Sequence, residues 1–274
     1  MFEKIPGVPV AYWLSIKFAS IFNGKKVEDF ALKVCKGGFT ANNDKYLRYW
    51  QEVCYSDILM GKWHQYSKGG QFCKWYGNSQ FVIYWPEDGA KLKGDPRAGM
   101  GAAQYYGKTH IVWSGICSGK PSFRADPDNV YFDDVSPAVV FDNDNRKNYI
   151  LCALNSIVAE RVLAIIAPTI HFQAGDIKQV PVIMIDERKK SIDLLADNNV
   201  DIAKQYWDSF ETSWDFQRHP LVCGCSTIEA ACAQWETICN DRFTQLKANE
   251  EELNRIFIDI YGLQDELTPE VEEK

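Results

Sequence analysis

Lys62, His64, Lys68, Lys74 and Tyr76 flank the pair Gly69-Gly70, and this combination suits phosphate binding. Cations neutralise phosphate oxygens, and adjacent glycines let backbone N–H groups approach an anion that a Cβ would hold off. A second set, Ser114, Ser118, Lys120, Ser122 and Arg124, lies in Trp113-Ser-Gly-Ile-Cys-Ser-Gly-Lys-Pro-Ser-Phe-Arg124. Short hydroxyls on a glycine-bearing turn fit phosphate contact, and a guanidinium can pair bidentately with guanine O6 and N7. A plain hairpin accounts for the same stretch. Thr40, Asn42, Asn43, Lys45 and Arg48 follow Gly37-Gly38, and their amide, hydroxyl and cationic groups suit base edges and backbone. Asp44 reads there as the cap of a following helix in an ordinary turn. Trp63, Tyr66, Phe72, Trp75 and Tyr76 could stack on bases or fill a gap in a duplex. Aromatic rings in a sheet-rich region are more often core, so only Tyr76 is placed at the surface.

Other chemistries find less support. His219, Cys223, Cys225, Cys232 and Cys239 are crowded together, but Cys-x-Cys departs from the usual zinc-knuckle spacing. Cys232 and Cys239 also fall on the apolar stripe of a helix, so no metal is expected. Gly99-Met-Gly101 follows the loop-like Asp95-Pro-Arg-Ala98 and reads as a turn, not as a dinucleotide fingerprint. No motif places a nucleophile beside His171, and no Pro-Pro pair occurs in the chain. Catalytic and cofactor-binding residues are therefore expected to be absent.

The whole-chain charge of −7 at first argues against nucleic acid. By segment, however, residues 24–124 carry 15 Lys+Arg against 8 Asp+Glu, net +7, whereas residues 125–274 sum to −15. A basic half on an acidic partner allows a local phosphate-facing surface. Nine scattered cysteines, an odd number, without a signal-peptide pattern fit a reduced, cytoplasmic setting.

The elements that must position these groups are legible as changes of period. Leu14, Phe18, Ile21 and Phe22 suit a short connector helix within residues 9–23. Between about residues 37 and 137, runs such as Gln80-Phe-Val-Ile-Tyr-Trp85 and Thr109-His-Ile-Val-Trp113 alternate with glycine turns and predict strands. Helical spacing returns over residues 146–167 and stops at Pro168; further helices are predicted over 201–213 and after Ser226. Ser226 and Glu229 have capping-box spacing, and Gly262 ends the last helix. The expected fold is α+β, a mixed-sheet domain followed by a mainly helical C-terminal region.

Two stretches carry a resemblance: Lys36-Gly-Gly-Phe-Thr-Ala-Asn-Asn-Asp-Lys-Tyr-Leu-Arg-Tyr-Trp-Gln-Glu-Val53 and Lys62-Trp-His-Gln-Tyr-Ser-Lys-Gly-Gly-Gln-Phe-Cys-Lys-Trp-Tyr-Gly-Asn78. Together they resemble the target-recognition region of PglX-type adenine-specific DNA methyltransferases of BREX phage defence, and more distantly TaqI-type and type IIG specificity domains. Ile5 to Trp13, Tyr149 to Val182, Tyr206 to Phe216 and Asn249 to Leu263 look like the same family. The resemblance implies a connector over residues 1–23, a DNA target-recognition domain over 24–185 and a helical region over 186–274. Within it, Gln173, Asp176 and Lys178 lie where the recognition domain closes. In that family a separate N-terminal domain binds S-adenosylmethionine, and an Asn-Pro-Pro-Tyr/Phe motif holds the flipped adenine. This sequence has neither, so the resemblance implies no cofactor here, S-adenosylmethionine in a parent enzyme, and no activity in isolation. The implied partners are double-stranded DNA, the methyltransferase domain of the same polypeptide and other defence proteins. The abrupt ends agree with an excised part. The competing readings are a carbohydrate-binding or a protein-interaction module.

Overall fold

Short strands gathered into two sheets form the first half of the molecule, and helices cover one of them. The computed structural model describes Pro6 and residues 14–272; the Ile5 to Trp13 block falls largely outside the described residues, whereas the short helix predicted on Leu14, Phe18, Ile21 and Phe22 is present over 16–23 with Phe18, Ile21 and Phe22 buried. The chain begins with α1 (Ile16–Ser20), α2 (Val27–Phe30), β1 (Lys33–Cys35), α3 (Asn43–Tyr46) and β2 (Leu47–Tyr49). It continues with α4 (Tyr55–Leu59), β3 (Trp63–Ser67), β4 (Phe81–Tyr84), α5 (Pro86–Lys93), β5 (His110–Trp113), β6 (Phe123–Ala125), β7 (Tyr131–Phe132) and β8 (Ala138–Val140). Then follow α6 (Lys147–Asn155), α7 (Ile157–Ile166), α8 (Ala174–Ile177), α9 (Asp186–Trp207) and α10 (Ile228–Tyr261).

One sheet has the order β1-β8-β5-β6 and is antiparallel throughout. The other, β2-β4-β3-β7, is mixed, because β7 joins β3 in parallel. The fold is α+β, with its acidic C-terminal part helical. Each predicted strand run contains a strand, β4 and β5. All four residues of β5 are buried, as a β-branched and aromatic strand between two neighbours requires.

The glycines before Phe39 serve close packing. A Cβ on Gly37 would fall 1.8 Å from the carbonyl oxygen of Phe132. The Gly38 N–H donates to Phe132 O at 3.2 Å, and Tyr66 Oη donates to Gly38 O at 2.7 Å. Only a residue without a side chain lets the loop after β1 reach the parallel edge of the second sheet.

The helices depart from expectation at informative places. The single helix predicted over 146–167 is α6 and α7, bent by 69° at Ser156. Ser156 is extended (φ −77°, ψ 158°) and its Oγ accepts from Ala159 N, so it ends one helix and caps the next. The break is invisible to periodicity because both helices keep their apolar face. The helix predicted from Asp201 begins at Asp186 and ends at Trp207. Its first turns are charged and bury little, so no apolar stripe announces them. α10 is capped by Thr227, not Ser226, and Gly262 at φ +67° ends it as expected. The predicted apolar stripe is buried only downstream, at Leu253 and Phe257; Ile228 and Phe243 stay exposed.

The main core joins β5 and β6 to α6, α7, α9 and α10 through Trp113, Phe123, Tyr149, Leu163, Ile192, Leu253 and Phe257. It therefore runs across residue 185, where composition changes. A smaller core of Tyr46, Tyr66, Ile83, Trp85 and Leu92 holds the second sheet.

A carboxylate on α10 ties the halves together. Glu250 Oε2 pairs with Lys74 Nζ at 2.9 Å, and its Oε1 accepts from Trp75 Nε1 at 2.7 Å. Trp75 is 1% exposed and sits at φ +71°, a conformation a bulky residue holds only when its surroundings enforce it. Its backbone in turn pairs with β6, Trp75 N to Phe123 O and Ala125 N to Trp75 O, both 2.9 Å. Removing the carboxylate strands a buried indole N–H and a half-buried ammonium. Glu250→Ala is expected to lower unfolding free energy by about 2–3 kcal/mol in denaturant titration, and Glu250→Gln, which still accepts one hydrogen bond, by less.

Candidate nucleic-acid interface

Two of the three residue sets singled out in the sequence are brought together. The β3–β4 loop, with Gly69, Gly70 and Phe72, lies against the β5–β6 loop: Ser114 Oγ donates to Gly70 O at 3.1 Å, and Cys73 N donates to Ser122 Oγ at 3.2 Å. The loop after β7 joins them, since a Cβ on Gly69 would meet Val135 O at 3.1 Å and Gly115 N donates to Val135 O. Lys36 and Gly38 reach the same place, Asp134 N donating to Gly38 O. The result is a rim of loops where the two sheets meet, lined by Lys36, Lys68, Phe72, Ile116 and Val135. The Thr40 to Arg48 set leads away from it toward β2.

Gly69 (φ +75°) and Gly70 (φ +132°) hold backbone that other residues rarely adopt, and Gly70 is exposed. The local turn thus needs glycine, and the backbone it exposes is open to a ligand. Phe72 is 60% exposed, whereas Tyr76 is mostly buried beneath the Lys204 ammonium at 5.1 Å, with burial raising its phenol to about 12. The exposed ring of this loop is therefore Phe72, not Tyr76. Alternation cannot find it, because a loop has no period.

Several proposed contacts are engaged within the molecule. Lys62 pairs with Asp57 at 2.9 Å, Lys68 with the buried Asp133 at 2.9 Å, Lys74 with Glu250, and Lys120 with Glu160 at 3.0 Å. His64 stacks on Tyr131 at 4.6 Å, and burial lowers its pKa. Arg48 turns back on its own chain, donating to Leu47 O and Asp44 O. Thr40 is 1% exposed, and its hydroxyl donates to Asn43 Oδ1 at 2.7 Å. Asn42, not Asp44, caps α3, its Oδ1 accepting from Lys45 N. Asn42, Asn43, Lys45, Ser118 and Lys120 remain exposed; the Lys45 ammonium lies over the Tyr46 ring at 4.7 Å.

Arg124 requires a correction. It is 0% exposed, with Nη1 3.5 Å from Cys73 O, and desolvation lowers its pKa. Asp126 and His110 are buried near it, and desolvation pushes Asp126 upward. A guanidinium enclosed between the sheets cannot reach a base edge. β6 begins at Phe123 and buries Phe123 and Arg124 alike, so the turn that was to expose Arg124 ends before it. Ser122, also buried, supports the β3–β4 loop and does not face outward.

The rim also holds adjacent carboxyls that the sequence did not single out. Burial opposes the charge on Asp133, but hydrogen bonds from Asp134, Val135 N–H and Lys68 hold its pKa low. Burial and that same hydrogen bond to Asp133 raise Asp134 to about 6. At neutral pH the pair more than cancels Lys68, leaving exposed Lys36 as the rim's cation toward solvent. Among the described residues no group of three or more His, Cys, Asp or Glu is arranged to hold a metal ion. No single helix there is long and apolar enough to cross a membrane.

No family model matches the chain. Over its whole length it is 36% identical to the adenine-specific methyltransferase PglX of Lacticaseibacillus casei strain Zhang, covering 24% of that protein. Over 97% of its length it is 30% identical to the adenine-specific methyltransferase BrxX of Escherichia coli O9:H4 strain HS, covering 22% of it. The chain thus spans about a quarter of these relatives. Among solved structures it resembles the Type IIL restriction-modification enzyme MmeI in complex with DNA, with a TM-score of 0.56 and 10% identity, covering 89% of this chain and 34% of that one. That likeness shows a shared fold.

Two outcomes follow from this geometry. Because the folded pKa of Asp134 lies above the ordinary 3.8, its penalty on folding is absent below that value, grows as pH rises and is complete above about 6. Asp134→Asn should therefore raise Tm at pH 7.5 and leave it unchanged near pH 3.5, read from thermal melts across pH. Arg124→Ala should destabilise the protein by about 2–5 kcal/mol in denaturant titration, the cost of a large-to-small change at a fully buried site.

Proposed function

The chain is similar over its whole length to part of the PglX and BrxX adenine-specific methyltransferases, and we propose that it selects the DNA site at which such an enzyme methylates adenine N6. The whole-length similarity carries this reading. The sequence supports it by lacking an Asn-Pro-Pro motif and a cofactor-binding glycine loop, so chemistry would belong to other sequence and recognition to this one. In this reading the target-recognition domain occupies residues 24–185, with the helices of 186–274 bracing it, and its partners are duplex DNA and the methyltransferase domain of the same polypeptide.

The loop rim, together with the α3 turn that leads away from it, supplies what sequence reading of a duplex needs. Lys36, Lys45 and Lys120 are exposed cations for phosphates, and Asn42 and Asn43 present amides able to pair with an adenine edge. Phe72 offers an exposed ring to a base step. Lys68 and Lys74 are not the principal phosphate contacts, because Asp133 and Glu250 already hold them.

Phosphate binding makes affinity fall with salt, with a slope of about 0.9 per neutralised phosphate. Fluorescence anisotropy with a labelled duplex should show steep salt dependence, and the K36A/K45A/K120A variant should reduce the slope by roughly 1 per lysine removed from contact. Absence of duplex binding at low salt would reject the interface. Site selection is tested by exchange: placing this chain over the matched segment of the Lacticaseibacillus casei relative should change which sequence is methylated, read by modification-sensitive sequencing. An unchanged methylated sequence from an active chimera would overturn the assignment.

A further inference from the structure

Between α9 and α10, away from the loop rim, lies Cys223-Gly224-Cys225. The two Sγ atoms are 3.0 Å apart, and the Cys225 sulfur is 3.1 Å from Gln234 Oε1 on α10. Gly224 has φ +79°, and a Cβ built on it would meet nothing within 4 Å; its conformation, and not crowding, turns the two side chains to the same side. Cys225 is exposed and Cys223 half-exposed. Thr227 caps α10 two residues on, so the pair precedes the positive end of a 34-residue helix, a setting that favours a thiolate.

The remaining thiols differ. Cys152 is buried, and Cys35 is raised to about 11 by burial. Cys54 and Cys232 are exposed, but no sulfur contact is found for them among the described residues. At the pair, the contact between the thiols splits them: Cys223 is lowered by hydrogen bonding to Cys225 and by Arg218, while Cys225 is raised by sharing its proton. One sulfur is thus suited to attack and the other to resolve. Closing the pair needs a Sγ shift of about 1 Å, because a disulfide is about 2.05 Å long.

We propose that Cys223 and Cys225 form a thiol–disulfide exchange site that closes to an intramolecular disulfide at the expense of a small-molecule disulfide such as glutathione disulfide. The Cys223 thiolate attacks one sulfur of the glutathione disulfide, forming a mixed disulfide and expelling one glutathione thiolate. Cys225 then gives up its proton, and its sulfur attacks Cys223 Sγ, expelling the second glutathione. Two protein thiols become one disulfide, the two electrons pass to glutathione disulfide, and the two protons end on the two glutathione thiols. A ring closed across a single intervening residue is strained and therefore readily reduced, so the site cycles and does not lock.

The test uses the reduced full chain, exposed to glutathione disulfide for increasing times, blocked with N-ethylmaleimide and mapped by peptide mass spectrometry. The peptide holding Cys223 and Cys225 should lose two hydrogens and escape alkylation before Cys54 or Cys232 acquires glutathione, and dithiothreitol should reverse this. Cys225→Ser should leave glutathione trapped on Cys223, and Cys223→Ser should slow adduct formation at Cys225; unchanged circular dichroism of both variants excludes unfolding as the cause. Full alkylation of Cys223 and Cys225 at a time when Cys54 is already glutathionylated would overturn the proposal. So would persistent glutathione on Cys223 in the unsubstituted chain.

Discussion

Glu250 imposes the constraint on which the rest of the architecture depends. Its two oxygens fix Lys74 and the indole of Trp75, and Trp75 carries the constraint into β6 through its backbone. Asn155 meets the same strand edge at Phe123: its Oδ1 accepts from Phe123 N at 3.1 Å and its Nδ2 donates to Phe123 O at 3.0 Å. Drawing Asn155 onto a strand edge ends α6 there, which is why the chain bends at Ser156. α10 then stabilises the bend, because Asn254 Oδ1 accepts the otherwise unpaired Ile157 N–H at 2.9 Å. One helix thus holds a strained tryptophan, a strand edge and a helix break within a single turn of its own length.

This node explains how the charge asymmetry of the sequence is used. Lys74 with Glu250, Lys68 with Asp133 and Lys120 with Glu160 each pair a cation of the basic stretch with an acid of the acidic one. These cations therefore do not face a polyanion; Lys74 and Lys120 join the β-rich part to helices, and Lys68 is held within the β-rich part. Lys68–Asp133 and Lys74–Glu250, both at 2.9 Å and partly buried, are the better-shielded contacts, and Lys120–Glu160, nearly half exposed on the lysine side, contributes little. The surface left for an external anion is narrower than the segment charge implies, centred on Lys36, Lys45 and the glycine-rich loop.

The fold was legible where it depended on local pattern. The all-buried β5 follows from His-Ile-Val-Trp, and the end of α10 from Gly262, because both rest on a few adjacent residues. Non-local partners concealed the rest. Nothing near Asn155 announces that Phe123 will pull it out of a helix, and nothing near Arg124 announces that Trp75 will pair with its strand and enclose it. Among the candidate site residues, Asn42, Asn43, Lys45, Ser118 and Lys120 on loops and turns stayed exposed, whereas His64 and Arg124 on strands were drawn into stacking or inward, and Thr40 was buried by its own turn. Residue type reported what chemistry was available, and tertiary pairing decided which groups could deliver it.

Under the proposed function, the same division bears on how such a scaffold would read different sequences. The node of Glu250, Trp75, Phe123 and Asn155 lies behind the rim and contributes no exposed side chain to it. Of the rim's outward groups, Phe72, Ser118 and Lys120 sit on the loops that lead into Trp75 and Phe123 of that node. Exchanging such groups alters what the surface touches without disturbing the main core, whereas changing the node disturbs the supports of both loops. In that reading specificity would vary on fixed supports, because the supports are tied to helices and not to the ligand.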